Sequence, residues 1–439
     1  MSRRHVPDPP ASPQARYAAG KRLRQRLPRE AQAECALAIR SPRERLRTLA
    51  RADRGRITTL LPEKFRRMRA SPFAFFRGAA ALMAADLAAL PRTGLRAQMC
   101  GDAHVRNLGA YAAPDGTLVF DINDFDETMP GPWEWDVKRL ATSLVLAGEE
   151  CGQPESRCEE SVRLFVASYR AHLLAFATMP FARLARYLIA RRRGEPLLDE
   201  IFRIAERSTP ARNAARLTVE RGGRRRFHDR PPNLKHVSSD TAARVVRALA
   251  AYRATLNASR RRTFERYRPA DVAFKLVGTG SVGTRDYIVL LLGNGAGDPL
   301  FMQVKQELAS CCAPYVPIDA RIDHQGRRVA EGQQMMQTLS DPFLGYTRFG
   351  GHDYLVRQLA DHKAALDPAE LTRRTLFEYA RLCGEVLAKG HARTTDGALL
   401  AGYVGKSGRL DTAIATFAMA YAQQTKADYR LFSRSTRTR

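Results

Sequence analysis

The spacing of hydrophobic positions divides the chain into stretches of helical period and stretches of period two. Residues 42–90 carry the helical period, and SPFAFFRGAAALMAADLAAL opens with Ser71 and Pro72, which are typical of a helix N-cap and first turn. The first 35 residues are rich in Pro and Arg and are expected to be loosely ordered at their start. Beyond PRTG (91–94), RAQMC reads as a short strand and LGAYAAPDGTLVFDIND predicts a hairpin that turns at PDG.

The same alternation continues to the C-terminus. From Trp133 to about Arg266 the pattern predicts helices, interrupted by a basic loop at 221–230 and by PPNLKH. From Asp271 the runs VAFKLV, RDYIVLLL and PLFMQVKQEL have period two and predict strands. A helix through AEGQQMMQTLS, a strand at DYLVRQL and helices from Pro368 onward complete the prediction.

The net charge is the unusual property of the composition. Lys and Arg number 72 against 45 Asp and Glu, a formal charge of +27, which favours encounter with nucleotides, nucleic acid or anionic surfaces. The densest runs, at 191–193 and in RGGRRRFHDR, lack the interleaved aromatic residues of a base-stacking platform. Nucleic-acid binding is therefore an alternative that rests on charge alone, and Arg on solvated helix faces explains the excess more simply.

The cysteines and the hydropathy argue against other classes. Seven cysteines, an odd number without a C-x-x-C pair, disfavour a disulfide framework or a zinc site and favour a reducing compartment. No apolar run reaches membrane-spanning length, and the start MSRRHVPDPPASPQ lacks the apolar stretch of a signal peptide. A cytoplasmic protein without a membrane span is expected.

Acidic residues cluster between residues 99 and 127. The stretch MCGDAHVRNLGAYAAPDGTLVFDINDFDE contains Asp102, Asp121, Asp124, Asp126 and Glu127. Because neighbouring carboxylates repel one another, the sequence predicts a cation among them.

A glycine-rich stretch, GTGSVG, lies between two predicted strands. A dinucleotide-binding fingerprint would open a helix, whereas strand, glycine turn and strand is typical of the loop that covers the phosphates in kinases. An ordinary hairpin with a glycine-rich turn is the competing interpretation. In the kinase interpretation the phosphate contacts come from Gly278, Thr279, Gly280, Ser281 and Gly283.

The third strand ends in FMQVKQE, and its Lys305 has the position of the kinase lysine in V-A-I-K. That lysine contacts the nucleotide phosphates and pairs with a Glu of the following helix. Glu331 in RVAEGQQMMQTL is the predicted partner. Glu307 lies closer in sequence, but it shares the strand and the face of Lys305 and therefore lacks the reach of a helix residue.

Two short acidic motifs match the two roles that phosphoryl transfer requires, a base and a set of metal ligands. Asp102 and Asn107 are five positions apart, as in the kinase D-x-x-x-x-N loop, and Asp124 in INDFD follows the hairpin where kinases carry D-F-G. One carboxylate accepts the proton of the attacking hydroxyl, while the Asn and the second Asp hold Mg²⁺. Acidic turns with Asx caps explain either motif alone, but not both together with the glycine loop and Lys305.

The chain resembles the aminoglycoside-phosphotransferase branch of the protein-kinase-like superfamily, whose members carry H-G-D-x-H-x-x-N and I-D-F/W. It is also similar to the uncharacterised bacterial domain-of-unknown-function family 2252, through SPFAFFRG, GDAHVRNLG, FDINDFDET and PWEWDVKRLA. The resemblance implies that Asp102 is the catalytic base, with His104 beside it in the loop. It implies Mg²⁺ ligation by Asn107 and Asp124 with assistance from Asp126, and a buttress for the loop at Asp136.

The order of the motifs departs from that branch, and Cys100 replaces its first His. Gly278 and Lys305 follow Asp102, whereas kinases place them before it, so a circular permutation is required. The helix TLFEYARLCGEVLAKGHARTTD resembles the one that normally leads into the catalytic loop. The resulting prediction is an α+β, bilobal, circularly permuted kinase-like fold. Its parts are an N-terminal helical extension (1–94), the catalytic hairpin with helices (95–266), an antiparallel sheet with the glycine-rich loop (267–362) and C-terminal helices (363–439).

These features predict an ATP- and Mg²⁺-dependent phosphotransferase that acts on a hydroxyl acceptor. D-F-D in place of D-F-G favours a small-molecule acceptor. Three alternatives stay open: AMP transfer at the same site, a nucleotide-binding pseudokinase, and a basic nucleic-acid-binding protein. The acceptor and the oligomeric state are not fixed by the sequence.

Overall fold

A computed structural model describes residues 11–35, 40–222, 224–276, 278–317, 322–359, 363–366, 371–372 and 374–436. The chain is mixed α and β: helices from both ends of the chain share one large hydrophobic core, and smaller hydrophobic clusters lie on the faces of an antiparallel sheet. In the described part of the chain, no helix combines the length and the apolar character needed to cross a membrane.

Helices make up most of the chain outside the sheet. The first group is α1 (Pro13–Arg26), α2 (Pro42–Ala52), α3 (Leu61–Met68), α4 (Pro72–Gly78) and α5 (Ala80–Leu87). The middle group is α6 (Trp133–Glu150), α7 (Glu155–Phe176), α8 (Phe181–Leu184), α9 (Pro196–Arg207), α10 (Pro210–Leu217), α11 (Ser239–Arg253) and α12 (Ala258–Phe264). The last group is α13 (Gln325–Met336), α14 (Thr375–Thr394), α15 (Gly397–Val404) and α16 (Arg409–Ser435).

Three two-stranded pairs lie between the helices. They are β1 (Arg96–Met99) with β4 (Met129–Pro132), β2 (Leu108–Ala112) with β3 (Leu118–Ile122), and β5 (Thr218–Arg221) with β6 (Arg224–Phe227). The hairpin predicted around PDG is confirmed as β2 and β3. The loop predicted at 221–230 is wrong in part, because Arg221 ends β5 and Arg224–Phe227 form β6. Consecutive Arg residues in β6 occupy both of its faces and conceal the period of two.

The large sheet is six-stranded, and every neighbouring pair in it is antiparallel. Its strands are β7 (Leu234–His236), β8 (Arg268–Lys275), β9 (Asp286–Leu292), β10 (Pro299–Gln306), β11 (Gly345–Phe349) and β12 (His352–Gln358), in the order β11-β12-β10-β9-β8-β7. The strands predicted at VAFKLV, RDYIVLLL, PLFMQVKQEL and DYLVRQL are confirmed. β7 and β11 have no counterpart in the prediction, because both are short and adjoin Pro or Gly.

The two faces of the sheet pack against different elements. On one face Val289 and Val356 contact Tyr252 of α11 in a buried cluster. On the other face Ile288 packs in a cluster with Phe227 of β6 and with residues of α10. The segment from α10 to β6 therefore covers one end of this second face, and the remainder of the face borders a cleft.

The helices of the two chain ends pack together closely. A Cβ added at Gly402 of α15 would lie 3.0 Å from the Cα of Gly20 in α1. The two backbones are therefore so close that neither position has room for a side chain. Arg24 Nε and Arg29 Nη1 donate hydrogen bonds to the Tyr403 and Val404 carbonyls, at the end of α15 where backbone acceptors lack helical partners. Helix α1 is thus packed against the C-terminal helices. The boundary predicted at residue 362, between the sheet and the C-terminal helices, lies outside the described residues.

Replacing Gly402 by Ala tests this packing. The added Cβ would lie 2.1 Å from the Tyr17 carbonyl oxygen, so α1 must move away from α15. We expect the free energy of unfolding to fall by roughly 1–3 kcal/mol, the usual cost of overpacking, although alanine favours the helix locally by about 1 kcal/mol. Urea unfolding measures the change. Gly297→Ala is the control because its Cβ would meet nothing within 4 Å, and equal stabilities of the two variants would contradict the packing.

Candidate active site

A cleft of about 1390 Å³ lies between the polar part of the sheet and the loops that follow β1 and β3. The structure brings most of the predicted site residues to its walls: Asp102, His104, Asn107, Asp124, Asp126, Gly278, Thr279, Gly280, Ser281 and Lys305. Gly283 lies behind the wall, where its carbonyl accepts a hydrogen bond from the Ile57 N–H at 2.6 Å. Glu331 is not part of the cleft.

The loop after β1 is held by α6. Asp136 accepts hydrogen bonds from the backbone N–H groups of Cys100 at 2.7 Å and Gly101 at 2.9 Å, so the buttress expected at Asp136 is present. Gly101 has φ +80°, and a Cβ there would lie 2.2 Å from the Glu127 carbonyl oxygen, so the turn requires glycine. Buried His391 of α14 lies 3.4 Å from Asp136 and supports it from the other side.

Asp102 is paired with a buried cation. Arg139 Nε donates to Asp102 Oδ1 at 2.6 Å, and Arg139 Nη2 also donates to the Phe76 carbonyl. Burial raises the pKa of Asp102 to about 6, although the guanidinium of Arg139 opposes the rise. Arg139 has no counterpart among the site residues predicted from the sequence. It lies three residues after Asp136 on the same face of α6, so the helical period of PWEWDVKRLA was the available signal.

His104 is buried beside Asp102. Its Nε2 lies 3.7 Å from Asp102 Oδ2, and its ring makes an edge contact with Phe73. Burial first, and then the nearby Arg77 and Arg139, hold the pKa of His104 well below its usual value. The imidazole is therefore neutral near pH 7 and cannot neutralise Asp102 as a cation.

The second acidic motif provides two carboxylates with different partners. Asp126 Oδ2 accepts hydrogen bonds from the Lys305 ammonium and from Ser281 Oγ, the latter at 2.8 Å. Although burial alone would raise the pKa of Asp126, the charge of Lys305 holds it well below the usual range. Asp124, by contrast, makes no ion pair with a described residue and accepts only the Asp126 backbone N–H, at 3.3 Å.

The predicted pairing of Lys305 with Glu331 is wrong. Glu331 is on the solvent side of α13, where its carboxylate pairs with Arg327 at 2.7 Å, one turn away. Lys305 is almost fully buried and is neutralised by Asp126, which raises the pKa of its ammonium against the effect of burial. A 12-residue helix presents several faces, and the sequence did not show which one points to β10.

The glycine-rich loop is fixed on two sides. Ser281 binds Asp126 on the cleft side, as described above. On the outer side, Arg56 Nη1 donates to the Val282 carbonyl at 2.8 Å, and Ile57 binds Gly283. The segment before α3 therefore determines the position of this loop. No local pattern in the sequence indicated that the two segments are in contact.

Asn107 and Asp124 present the oxygen atoms that could hold a cation. Asn107 Nδ2 donates to the Asp102 carbonyl at 2.9 Å, and no described residue donates to its Oδ1. Nowhere in the described residues do three His, Cys, Asp or Glu side chains form a metal-binding group. One carboxylate with one amide oxygen nevertheless suits Mg²⁺, which is commonly held by one or two carboxylates, water and the phosphates of a substrate.

The same residues can be compared with known families. The family model described as an uncharacterized protein conserved in bacteria, DUF2252, matches residues 56–435. The chain belongs to this family. No curated protein and no solved structure matches the chain.

In this DUF2252 member, the matched span contains all of the cleft residues named above. It begins at Arg56, which holds the glycine-rich loop, while α1 and α2 lie before it. The family description names no activity.

The Asp102–Arg139 pair allows a stability test that is independent of activity. Arg139→Met is expected to lower the free energy of unfolding by about 3–5 kcal/mol, because Asp102 is left without its cation in a mostly buried position. Adding Asp102→Asn to Arg139→Met should restore part of the loss, because the carboxylate is then also removed. Urea unfolding of the two single variants and the double variant measures the coupling. Strictly additive effects would show that the two groups do not interact.

Proposed function

We propose that this protein is an ATP- and Mg²⁺-dependent phosphotransferase with a circularly permuted kinase-like fold, acting on a hydroxyl acceptor. The observation that carries the proposal is the state of Asp124. Among the charged residues of the acidic motifs, Asp102 pairs with Arg139, Asp121 with Lys389 and Asp126 with Lys305. Asp124 lines the same cleft as Asn107 and forms no ion pair with a described residue.

Burial makes the ionised carboxylate of Asp124 unfavourable unless a cation lies beside it. Burial and the charge of Asp126 raise the pKa of Asp124, which means that its ionised form is disfavoured while no cation is bound. When Mg²⁺ is bound there, it supplies positive charge to the phosphate oxygens as negative charge shifts in the reaction. Asn107 and Asp124 are the residues assigned to hold it.

Asp102 is assigned as the base. Its Oδ1 is occupied by Arg139, so Oδ2 is the oxygen available to a hydroxyl in the cleft. In the proposed reaction the acceptor O–H proton passes to Asp102, the acceptor oxygen forms a bond to the γ-phosphorus, and the bond to the β–γ bridging oxygen breaks, releasing ADP. Arg139 keeps the carboxylate oriented and limits how far burial raises its pKa.

The arrangement of the sheet supports the kinase-like part of the proposal. The glycine-rich loop joins β8 to β9, Lys305 lies on the next strand, β10, and α13 follows before β11 and β12. This is the chain order in which kinases carry the phosphate loop, the lysine strand and the helix after it. The ion pair of the lysine differs from the kinase pattern, because Lys305 pairs with Asp126 and not with Glu331 of α13.

A contact between α14 and β1 supports the permutation. Thr394 Oγ1, at the last residue of α14, accepts a hydrogen bond from the Gln98 N–H in β1 at 3.2 Å. In the unpermuted order this helix would lead directly into the catalytic loop. Its end therefore lies beside the strand that the unpermuted chain would reach next, although the two residues are far apart in this sequence.

AMP transfer at the same site is the second candidate. Cations line the cleft beyond Lys305, among them Lys275, Arg357 and Lys363, so the terminal phosphates of ATP have a second place to bind. With the nucleotide reversed, the acceptor oxygen would attack the α-phosphorus and pyrophosphate would leave. Reactions with ATP labelled at the α or the γ position separate the two: transfer of the γ label supports phosphoryl transfer, and transfer of the α label supports AMP transfer.

Asp124→Asn tests the metal site. We expect wild-type protein to gain thermal stability with ATP and Mg²⁺ together, because a ligand that binds the native state raises the melting temperature by mass action. The gain should be lost in Asp124→Asn and retained in Glu331→Gln, a matched acidic residue outside the cleft. An equal Mg²⁺-dependent shift in Asp124→Asn would remove this residue from the site, and no shift of the wild type at millimolar ATP would contradict the proposal.

Asp102→Asn tests the base. Nucleotide binding should persist within a few-fold, because Asp102 is not assigned to the metal, while turnover should fall at least 100-fold, the lower end of what general bases contribute. Binding is followed by the same thermal shift, and turnover by release of ADP from ATP with water as the acceptor. Activity equal to wild type would exclude Asp102 as the base.

A further inference from the structure

A row of polar side chains crosses the face of the sheet that borders the cleft. Neighbouring strands contribute Lys275 from β8, Asp286 from β9, Gln303 from β10 and Arg357 from β12. In the strand register Gln303 lies opposite Arg357, and Asp286 lies opposite Lys305. Gln303 Nε2 donates to Asp286 at 2.7 Å, and its Oε1 accepts from Arg357 Nε at 2.9 Å. Hydrogen bonds within the row therefore fix Asp286, Gln303 and Arg357.

The row makes this end of the cleft cationic instead of apolar. Lys275, Gln303, Arg357 and Lys363 all line it, with Arg212 and Arg216 of α10 at the edge. A planar aromatic ligand group would need apolar walls, which this face does not offer at Gln303 and Arg357. An anionic ligand group would find several donors in a partly enclosed space.

Two of the lysines have no partner in the described structure. Lys275 and Lys363 make no hydrogen bond or ion pair with a described residue, whereas the ammonium of Lys305 is neutralised by Asp126. Lys275 is half-buried and Lys363 is open to the solvent of the cleft. Asp286 lies within electrostatic reach of Lys275, but its carboxylate is already bound to Gln303. Among the lysines that line the cleft, Lys275 and Lys363 are thus the ones without an ion pair to a described residue, and Lys305 of the kinase-like motif is not.

These cations line the same cleft as the proposed metal site. Arg357 acts electrostatically on both Asp124 and Asp126, and Asp124 acts on Lys363. Asp124, Arg357 and Lys363 all line the same cleft, so one ligand that carries several phosphates can contact the metal site and these cations together.

We propose that Lys275, Arg357 and Lys363 form a second anion-binding compartment, which takes a phosphate group of the ligand on the sheet side of the cleft. The inference rests on the proposed function to the extent that both place a phosphorylated ligand in this cleft. The phosphate has two possible sources with the same chemistry: the terminal phosphates of the nucleotide, or a phosphate carried by the acceptor.

The test uses inorganic pyrophosphate as the probe and the full-length protein. Isothermal titration with pyrophosphate is carried out on wild type, on Lys275→Met with Lys363→Met, and on Lys235→Met. Lys235 is the matched control, because it lies on the adjacent strand β7, exposed and outside the cleft. We expect at least 10-fold weaker pyrophosphate binding in the double variant and unchanged binding in the control. Equal affinity of the double variant and wild type would overturn the compartment.

Neither lysine forms an ion pair with a described residue, so the double variant is expected to fold, although the charge of Lys275 acts on buried Asp286. Its melting temperature without ligand checks this, and the single variants at Lys275 and Lys363 replace it if that temperature drops. Each single variant should then weaken pyrophosphate binding severalfold, and two unaffected single variants would also overturn the compartment.

Two further arms separate this inference from the proposed function and identify the source of the phosphate. In one outcome, Asp124→Asn loses the Mg²⁺–ATP shift and the double lysine variant binds pyrophosphate normally. This outcome would support the proposed function and contradict the compartment. Retention of the Mg²⁺–ATP shift in Asp124→Asn, together with weakened pyrophosphate binding in the double lysine variant, would contradict the proposed function and support the compartment. If ATP displaces pyrophosphate and AMP does not, the terminal phosphates of the nucleotide occupy the compartment; if ATP and pyrophosphate bind together, the compartment serves the acceptor.

Discussion

The repulsion among carboxylates in one small region is the constraint on which the cleft depends. Asp102, Asp121 and Asp126 lie within one short stretch of the chain, and isolated buried carboxylates are strongly disfavoured. Each is neutralised by a cation from a different element: Arg139 of α6, Lys389 of α14 and Lys305 of β10. The stretch therefore reaches its native charge balance only when the middle helix, the sheet and a C-terminal helix have all packed around it.

This dependence also explains the packing of the two chain ends. α14 supplies Lys389 to Asp121 and His391 to Asp136, so its position relative to β1 and β3 is set by buried polar contacts as well as by apolar burial. The N-terminal segment contributes in the same way, because Arg56 and Ile57 hold the glycine-rich loop against Asp126. Helices that look peripheral in the sequence thus determine the geometry of the cleft.

Features encoded over a few neighbouring residues could be predicted from the sequence. The hairpin of β2 and β3 follows from alternation on both sides of PDG, and β8, β9 and β10 follow from clear period-two runs. The sequence placed Asp102 and Asn107 in one short loop, and in the structure Asn107 donates a hydrogen bond to the Asp102 carbonyl. In each case the deciding interaction lies within a dozen residues or follows from one strand period.

Partners that are distant in the sequence could not be predicted, for a physical reason. Glu331 was the favoured partner of Lys305 because it lies on the next helix, yet the rotation of α13 places it toward solvent, and Asp126, from 179 positions earlier, takes its place. Lys389 and Asp121 are 268 positions apart, and neither has a local pattern that marks the other. Which carboxylate pairs with which cation is decided by tertiary packing.

Once these pairs are assigned, the remaining charges limit what the cleft can bind. Among the described residues, Asp124 has no cation in an ion pair and Lys275 and Lys363 have no carboxylate in one, although all three border the same space. They do not neutralise one another directly, since no ion pair joins them among the described residues. A cation alone would satisfy Asp124 and add to the positive charge around the lysines, and an anion alone would do the reverse. A metal–phosphate complex satisfies both at once, which is why a metal-bound polyphosphate fits this charge pattern better than either component alone.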